Sequence, residues 1–99
     1  MEYVMSAEPE AAGEPAKFAV VLLNDDVTPM EFVVDVLEQV FDKDREEAVK
    51  IMLATDQRGS AVCGLYGQTE AQRLAREVID RAKTGGYPLE CVVRPEQDG

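Results

Sequence analysis

The 99-residue sequence contains no histidine and no tryptophan. Without histidine the chain lacks the commonest general base and the commonest metal ligand. It also has no Gly-rich phosphate loop and no Gly-x-Ser-x-Gly turn, so hydrolase, kinase and zinc-enzyme chemistries all lack their usual groups. Cysteine is scarce: Cys63 and Cys91 form no Cys-x-x-Cys pair, and each lies in an apolar run. We expect two reduced thiols buried as small hydrophobes. No apolar run approaches the roughly 20 residues of a membrane span. Met1 to Ala16 has no basic region followed by an apolar core, so no secretory signal is read there. The expectation is a soluble cytoplasmic protein with no membrane partner. Positive charge is short as well. Lys and Arg number 10 against 20 Asp and Glu, a net charge of −10. That argues against nucleic acid, which is held through Lys and Arg on phosphates.

What remains is one domain's worth of chain, 45% hydrophobic, able to bury a modest core. Residues 1–16, rich in Ala, Glu, Pro and Gly, read as a disordered acidic arm. Residues 17–95 read as the folded domain and 96–99 as a polar tail. Lys17 to Leu23 is a short β-branched run ending at Asn24-Asp25-Asp26, which predicts a strand. Thr28-Pro29-Met30-Glu31 has the letters of a capping box with proline at the first helical position, predicting a helix to about Phe41. Asp44 is read as the cap of a second helix ending near Asp56 to Arg58, before Gly59.

Ser60 to Tyr66 reads as a second strand. Gln68 to Thr84 repeats apolar residues at helical spacing until Gly85-Gly86 breaks it. Tyr87 to Arg94 reads as a third strand. The order β-α-α-β-α-β predicts an α+β sandwich with helices on one sheet face. Spacing alone leaves the strand pairing open, although the long third helix offers a crossover between strands two and three.

Asn24, Asp25 and Asp26 have an ordinary explanation as turn formers and as carboxylates favoured at a helix N-terminus. A calcium loop is a poor fit, because no further acidic residues follow at the required spacing. Met30 and Val33 on the first turns of helix one, with Met52 and Thr55 late in helix two, converge on that loop if the two helices are antiparallel. An apolar pocket rimmed by Asn and Asp suits a cationic amine attached to a hydrophobic side chain.

These same residues resemble a known family. Leu22 to Leu37 (L-L-N-D-D-V-T-P-M-E-F-V-V-D-V-L), Ile51 to Leu53, Val62 to Tyr66 and Tyr87 to Cys91 are similar to the signature of the ClpS adaptors. The resemblance runs from about Phe18 to Val93. It implies a three-stranded antiparallel sheet packed against three helices. It also implies an adaptor, not an enzyme and needing no cofactor or metal, that binds proteins beginning with Leu, Phe, Tyr or Trp and delivers them to a ClpA- or ClpC-like unfoldase. By the same resemblance Asn24 and Asp25 hold the substrate's α-amino group, and Met30, Val33, Met52 and Leu89 line the side-chain pocket. Asp26 and Thr28 shape the loop, and residues 1–16 engage the unfoldase. A monomer is the default.

Two departures from the family pattern stand out. Thr55-Asp56 occupies the end of helix two, where the family usually carries a hydrophobic residue followed by a histidine that touches the amino group. We expect Asp56 to take over as an ionic acceptor, and the Thr55 hydroxyl to shrink or polarise the pocket. In helix three, Thr69 to Leu74 does not keep the family's unfoldase-docking Glu and Lys, and Glu70 and Arg73 are the available substitutes. Both changes fit a diverged or engineered variant with altered preference and no protease delivery. A further alternative is an interaction module of the same architecture without N-terminal recognition, as in the C-terminal domain of a ribosomal stalk protein.

Overall fold

The computed structural model describes residues 17–96. The expected acidic arm over 1–16 and residues 97–99 of the expected tail lie outside the described residues. Six elements follow in the predicted order: β1 (Phe18–Leu23), α1 (Met30–Phe41), α2 (Arg45–Arg58), β2 (Ser60–Tyr66), α3 (Gln68–Gly85) and β3 (Glu90–Pro95).

The sheet order is β2-β1-β3, with β1 antiparallel to both neighbours. The two edge strands are therefore parallel to one another, and α3 carries the chain between them across β1. This central position explains why four consecutive β1 residues, Ala19 to Leu22, are buried. Val20 and Leu22 face the helices and join Val34, Leu37, Leu74 and Val78 in the core. Helix α3 presents Ala71, Leu74, Ala75, Val78 and Ala82 inward, the spacing of a single helical stripe.

Cys63 and Cys91 are both buried and unpaired. They sit on the strands flanking β1, so two strand spacings, about 9–10 Å, separate them. That exceeds the reach of a disulfide. Burial pushes both thiols up to about 12.

Three local expectations are corrected. Thr28 is not the cap of α1. Pro29 holds the cap position with no side-chain hydrogen bond, so the Thr28–Glu31 capping box does not form. Helix α3 continues through Gly85, and Gly86, in the left-handed region at φ 79°, ends it. β3 begins at Glu90 and not at Tyr87, because the Tyr87 N–H is spent on the Ala82 carbonyl at 2.8 Å and Pro88 has no N–H to offer a ladder. By contrast, Asp44 caps α2 as expected, accepting from the Glu47 N–H at 2.8 Å.

Candidate functional site

A cavity of about 180 Å³ opens where the end of β1, the first turns of α1 and the last turn of α2 meet. Three local features bring these parts together. The Asn24 N–H donates to the Gly59 carbonyl at 2.9 Å, tying the end of β1 to the end of α2. Gly59 adopts φ 88°, the left-handed turn that lets the chain leave α2 directly into β2. Phe32 packs on Tyr87 with ring centroids 4.7 Å apart, holding the segment before β3 against the start of α1. That contact needs a glycine at 85, where a Cβ would meet the Tyr87 ring at 2.9 Å.

The lining contains every residue that the sequence placed in the amino-group and side-chain sites. Asn24, Asp25, Asp26, Thr28 and Asp56 supply polar groups, and Met30, Val33, Met52, Thr55 and Leu89 complete the wall. Leu23 is an addition; its place immediately before Asn24, at the end of a buried strand, was the available signal. Val33 and Leu89 are buried, whereas Met30 is 56% exposed at the mouth. No Lys or Arg lines the cavity, so its three carboxylates face no cation there.

Asp25 has a definite structural task. Its Oδ1 accepts from the Val27 N–H at 2.8 Å and the Thr28 N–H at 2.7 Å, and its Oδ2 accepts from the Thr28 hydroxyl at 2.8 Å. The Thr28 side chain is thus recruited backwards by Asp25 instead of capping α1. Partial burial works to raise the Asp25 carboxyl, but the bonds from Thr28 and Val27 outweigh it and hold the group below its ordinary 3.8. Neither Asn24, Asp26 nor Asp56 makes a side-chain hydrogen bond among the described residues, so their oxygens remain open to a ligand.

Thr55 is 4% exposed, and its hydroxyl donates to the Ile51 carbonyl at 2.8 Å. The hydroxyl proton is therefore spent within α2. Asp56, one residue on, is exposed. Carbonyls at a helix C-terminus carry partial negative charge, so the end of α2 adds to the field of the carboxylates. The same principle places Asp25 and Asp26 favourably as anions beside the N-terminus of α1.

Glu70 and Arg73 lie elsewhere, on the exposed side of α3. They form a two-point pair: Arg73 Nη2 donates to Glu70 Oε2 at 2.7 Å and Nε to Oε1 at 3.2 Å. Glu77 stands 3.7 Å from Arg73 on the next turn.

A family model described as "ATP-dependent Clp protease adaptor protein ClpS" matches residues 13–92. The chain belongs to the ClpS family. It is 44% identical over 90 residues to the ClpS of Paraburkholderia phymatum, covering 91% of this chain and 86% of that protein. It is 47% identical over 90 residues to the ClpS of Ralstonia pickettii, covering 91% and 83%. Among solved structures, Agrobacterium tumefaciens ClpS2 bound to L-phenylalaninamide superposes with a TM-score of 0.82 at 37% identity, covering 84% of this chain and all of that one. ClpS proteins are adaptors and not catalysts, and the α+β architecture with its β-α-α-β-α-β order is the ClpS architecture. No helix among the described residues is long and apolar enough to cross a membrane.

Proposed function

We propose that this ClpS chain holds the free N-terminus of proteins that begin with a bulky hydrophobic residue (Leu, Phe, Tyr or Trp) and presents them to a ClpA- or ClpC-like unfoldase. The observation that carries the reading is the cavity itself: an apolar floor beneath a rim of carboxylates with no cation. Its size suits the ligand. An apolar protein cavity of about 150 Å³ accepts benzene, and this one is about 180 Å³. L-phenylalaninamide, the ligand of the Agrobacterium relative, combines a phenyl ring, a protonated amine and a carboxyl capped as an amide. A peptide's first residue presents the same three groups.

Within this reading the first side chain sits against Val33, Met52 and Leu89, and Met30 covers it from the mouth. The ammonium is held by the Asn24 side-chain oxygen and the Asp56 carboxylate. Asp25, already committed to Val27 and Thr28, fixes the loop that aims Asn24 and adds its field. Asp26 contributes charge at the rim.

Burying one Leu or Phe side chain contributes about 1.5–3 kcal/mol. Each hydrogen bond from the ammonium adds about 1.5–3 kcal/mol. These gains are set against the cost of association, so the ring and the ammonium must both be held for binding to be measurable. Because Asp56 is anionic and Asp25 and Asp26 lie in the same lining, binding weakens as salt rises. Delivery is assigned to the exposed face of α3 around Glu70 and Arg73, where a docking partner must compete with their mutual pairing.

The test is fluorescence anisotropy with labelled peptides that differ only in their first residue, covering Leu, Phe, Tyr, Trp, Ile, Val and Arg. Saturable binding confined to the bulky hydrophobic set, weakened by Asp56→Ala, supports the reading. Binding indifferent to the first residue removes it.

A further inference from the structure

Leu89 lines the cavity and also a second, open cleft of about 520 Å³. It is buried, so it stands as a partition between the two spaces. The cleft is bounded by Tyr87, Pro88 and Val92 and by Ile79 and Lys83 of α3. The backbone that carries Leu89 belongs to no regular element. Helix α3 ends at Gly86, and the β1–β3 ladder starts one residue later than Leu89, at Leu23↔Glu90.

Two contacts of Tyr87 hold this segment. Its N–H donates to the Ala82 carbonyl at 2.8 Å, which fixes the backbone two residues before Leu89. Its ring rests on Phe32, with centroids 4.7 Å apart and planes inclined at 55°, within the favourable range for aromatic pairs. Phe32 precedes Val33, which forms another wall of the cavity. Helix α1 packs chiefly on α2 and α3, so the ring pair is a direct tie between the wall of α1 and the wall at Leu89. Neither Phe32 nor Tyr87 lines the cavity itself.

The tie is close-fitting. Gly85 lies outside the left-handed region, so its backbone would accept alanine. The space would not: an added Cβ stands 2.9 Å from the Tyr87 ring, although only in ordinary contact, at 3.7 Å, with Phe32. The absence of a side chain at 85 therefore serves the position of the Tyr87 ring.

From this we infer that Tyr87 is a positioning residue for recognition: acting through Leu89, it sets the width of the cavity and so ranks the first residues that the chain accepts. The inference rests on the reading of the cavity as the seat of the first side chain. Without the ring, Leu89 is free to shift toward the open cleft, and the cavity widens. A wider cavity leaves a Leu side chain with lost contacts and admits the indole of Trp with less crowding.

Anisotropy titrations with Leu-, Phe- and Trp-first peptides, run beside thermal melts, test the inference in Tyr87→Phe, Tyr87→Ala, Gly85→Ala and the double variant Gly85→Ala/Tyr87→Ala. Tyr87→Phe keeps the ring pair, so all three affinities stay within about twofold of the unmodified chain. Tyr87→Ala moves the Leu-to-Trp affinity ratio toward Trp by at least about fourfold, the effect of roughly one buried methylene group. Gly85→Ala displaces the ring without removing it and moves the ratio in the same direction. The double variant shifts no further than Tyr87→Ala alone, because no ring remains for the added methyl to push. A uniform loss across the three peptides that tracks a lower melting temperature overturns the inference and leaves Tyr87 a purely structural residue. An unchanged ratio in Tyr87→Ala overturns it too, as does a shift in Tyr87→Phe as large as in Tyr87→Ala. In each of these cases the unmodified chain still binds, and the reading of the cavity stands. An unmodified chain that binds none of the peptides removes that reading and this inference together.

Discussion

Replacing Asp25 separates two roles that the sequence alone merges: direct partner of the ammonium, or brace of the loop that carries Asn24. Alanine at 25 removes three acceptor interactions at 2.7–2.8 Å. A typical intramolecular hydrogen bond nets about 0.5–1.5 kcal/mol. This loop is partly exposed, and water replaces some of what is lost. The expected cost to loop organisation is therefore about 1–2 kcal/mol, equivalent to roughly a 5- to 30-fold weaker Kd.

Asparagine behaves differently. Its amide oxygen still accepts from the Val27 and Thr28 N–H groups, and its NH₂ group donates to the Thr28 hydroxyl, which turns to accept. Asp25→Asn should stay within about threefold of the unmodified chain, since one side-chain bond is exchanged for another of similar strength. Thr28→Val, which deletes only the hydroxyl bond, should fall between Asn and Ala at 25. Peptide anisotropy gives the affinities, and hydrogen exchange at Val27 and Thr28 reports whether the brace survives. If Asp25→Asn binds as poorly as Asp25→Ala while exchange at Val27 and Thr28 is unchanged, the bracing argument is refuted and the carboxylate's charge is what matters.

Four further outcomes follow from the same structure. Thr55→Val leaves peptide affinity within about twofold, because the lost hydroxyl served only the Ile51 carbonyl, already an acceptor within the helix; Thr55→Met fills the cavity and weakens Phe- and Trp-first peptides more than Leu-first ones, as an anisotropy panel will register. Asp56→Asn flattens the salt dependence of binding, measured by titrations at low and high ionic strength, because a charged acceptor has become neutral. The carboxyl of Asp25 is depressed on folding, so its contribution is fully present above the ordinary 3.8 and disappears as pH falls through the lower folded value; the stability difference between the unmodified chain and Asp25→Ala, followed by thermal melts, should persist at neutral and mildly acidic pH and close only in stronger acid. Cys63 and Cys91, buried and raised to about 12, resist alkylation in the native state and both react in denaturant, as counted by mass spectrometry.

Much of this arrangement was legible in the residues. The Asp44 cap, the end of α2 before Gly59 and the apolar stripe of α3 are local signals, and local rules read them correctly. The convergence of Met30, Val33, Met52 and Thr55 beside the acidic loop followed from helical spacing once the two helices were taken as antiparallel. Thr28 was misread because Thr-x-x-Glu has the same letters whether the hydroxyl caps the helix ahead or is captured by an acceptor three residues behind. Asp25 supplies that acceptor, and the competition is settled by loop geometry. The start of β3 was misplaced for a similar reason: Tyr87 has a strand-forming side chain, but its N–H closes α3. Strand order was beyond local rules, since it depends on where α3 lays the chain down across β1. The Thr55 hydroxyl posed a choice between the cavity and the Ile51 carbonyl that only the buried helix geometry decides.

The central claim is that the cavity recognises a cationic amine and a hydrophobic side chain together. Calorimetric titration with L-phenylalaninamide, beside its N-acetyl derivative and the des-amino analogue 3-phenylpropanamide, tests it most directly. The account predicts saturable one-to-one binding of L-phenylalaninamide, with both analogues nearly inert despite carrying the same ring. Binding of the acetylated or des-amino compound at comparable affinity would contradict it, because the carboxylate rim would then have no part in recognition.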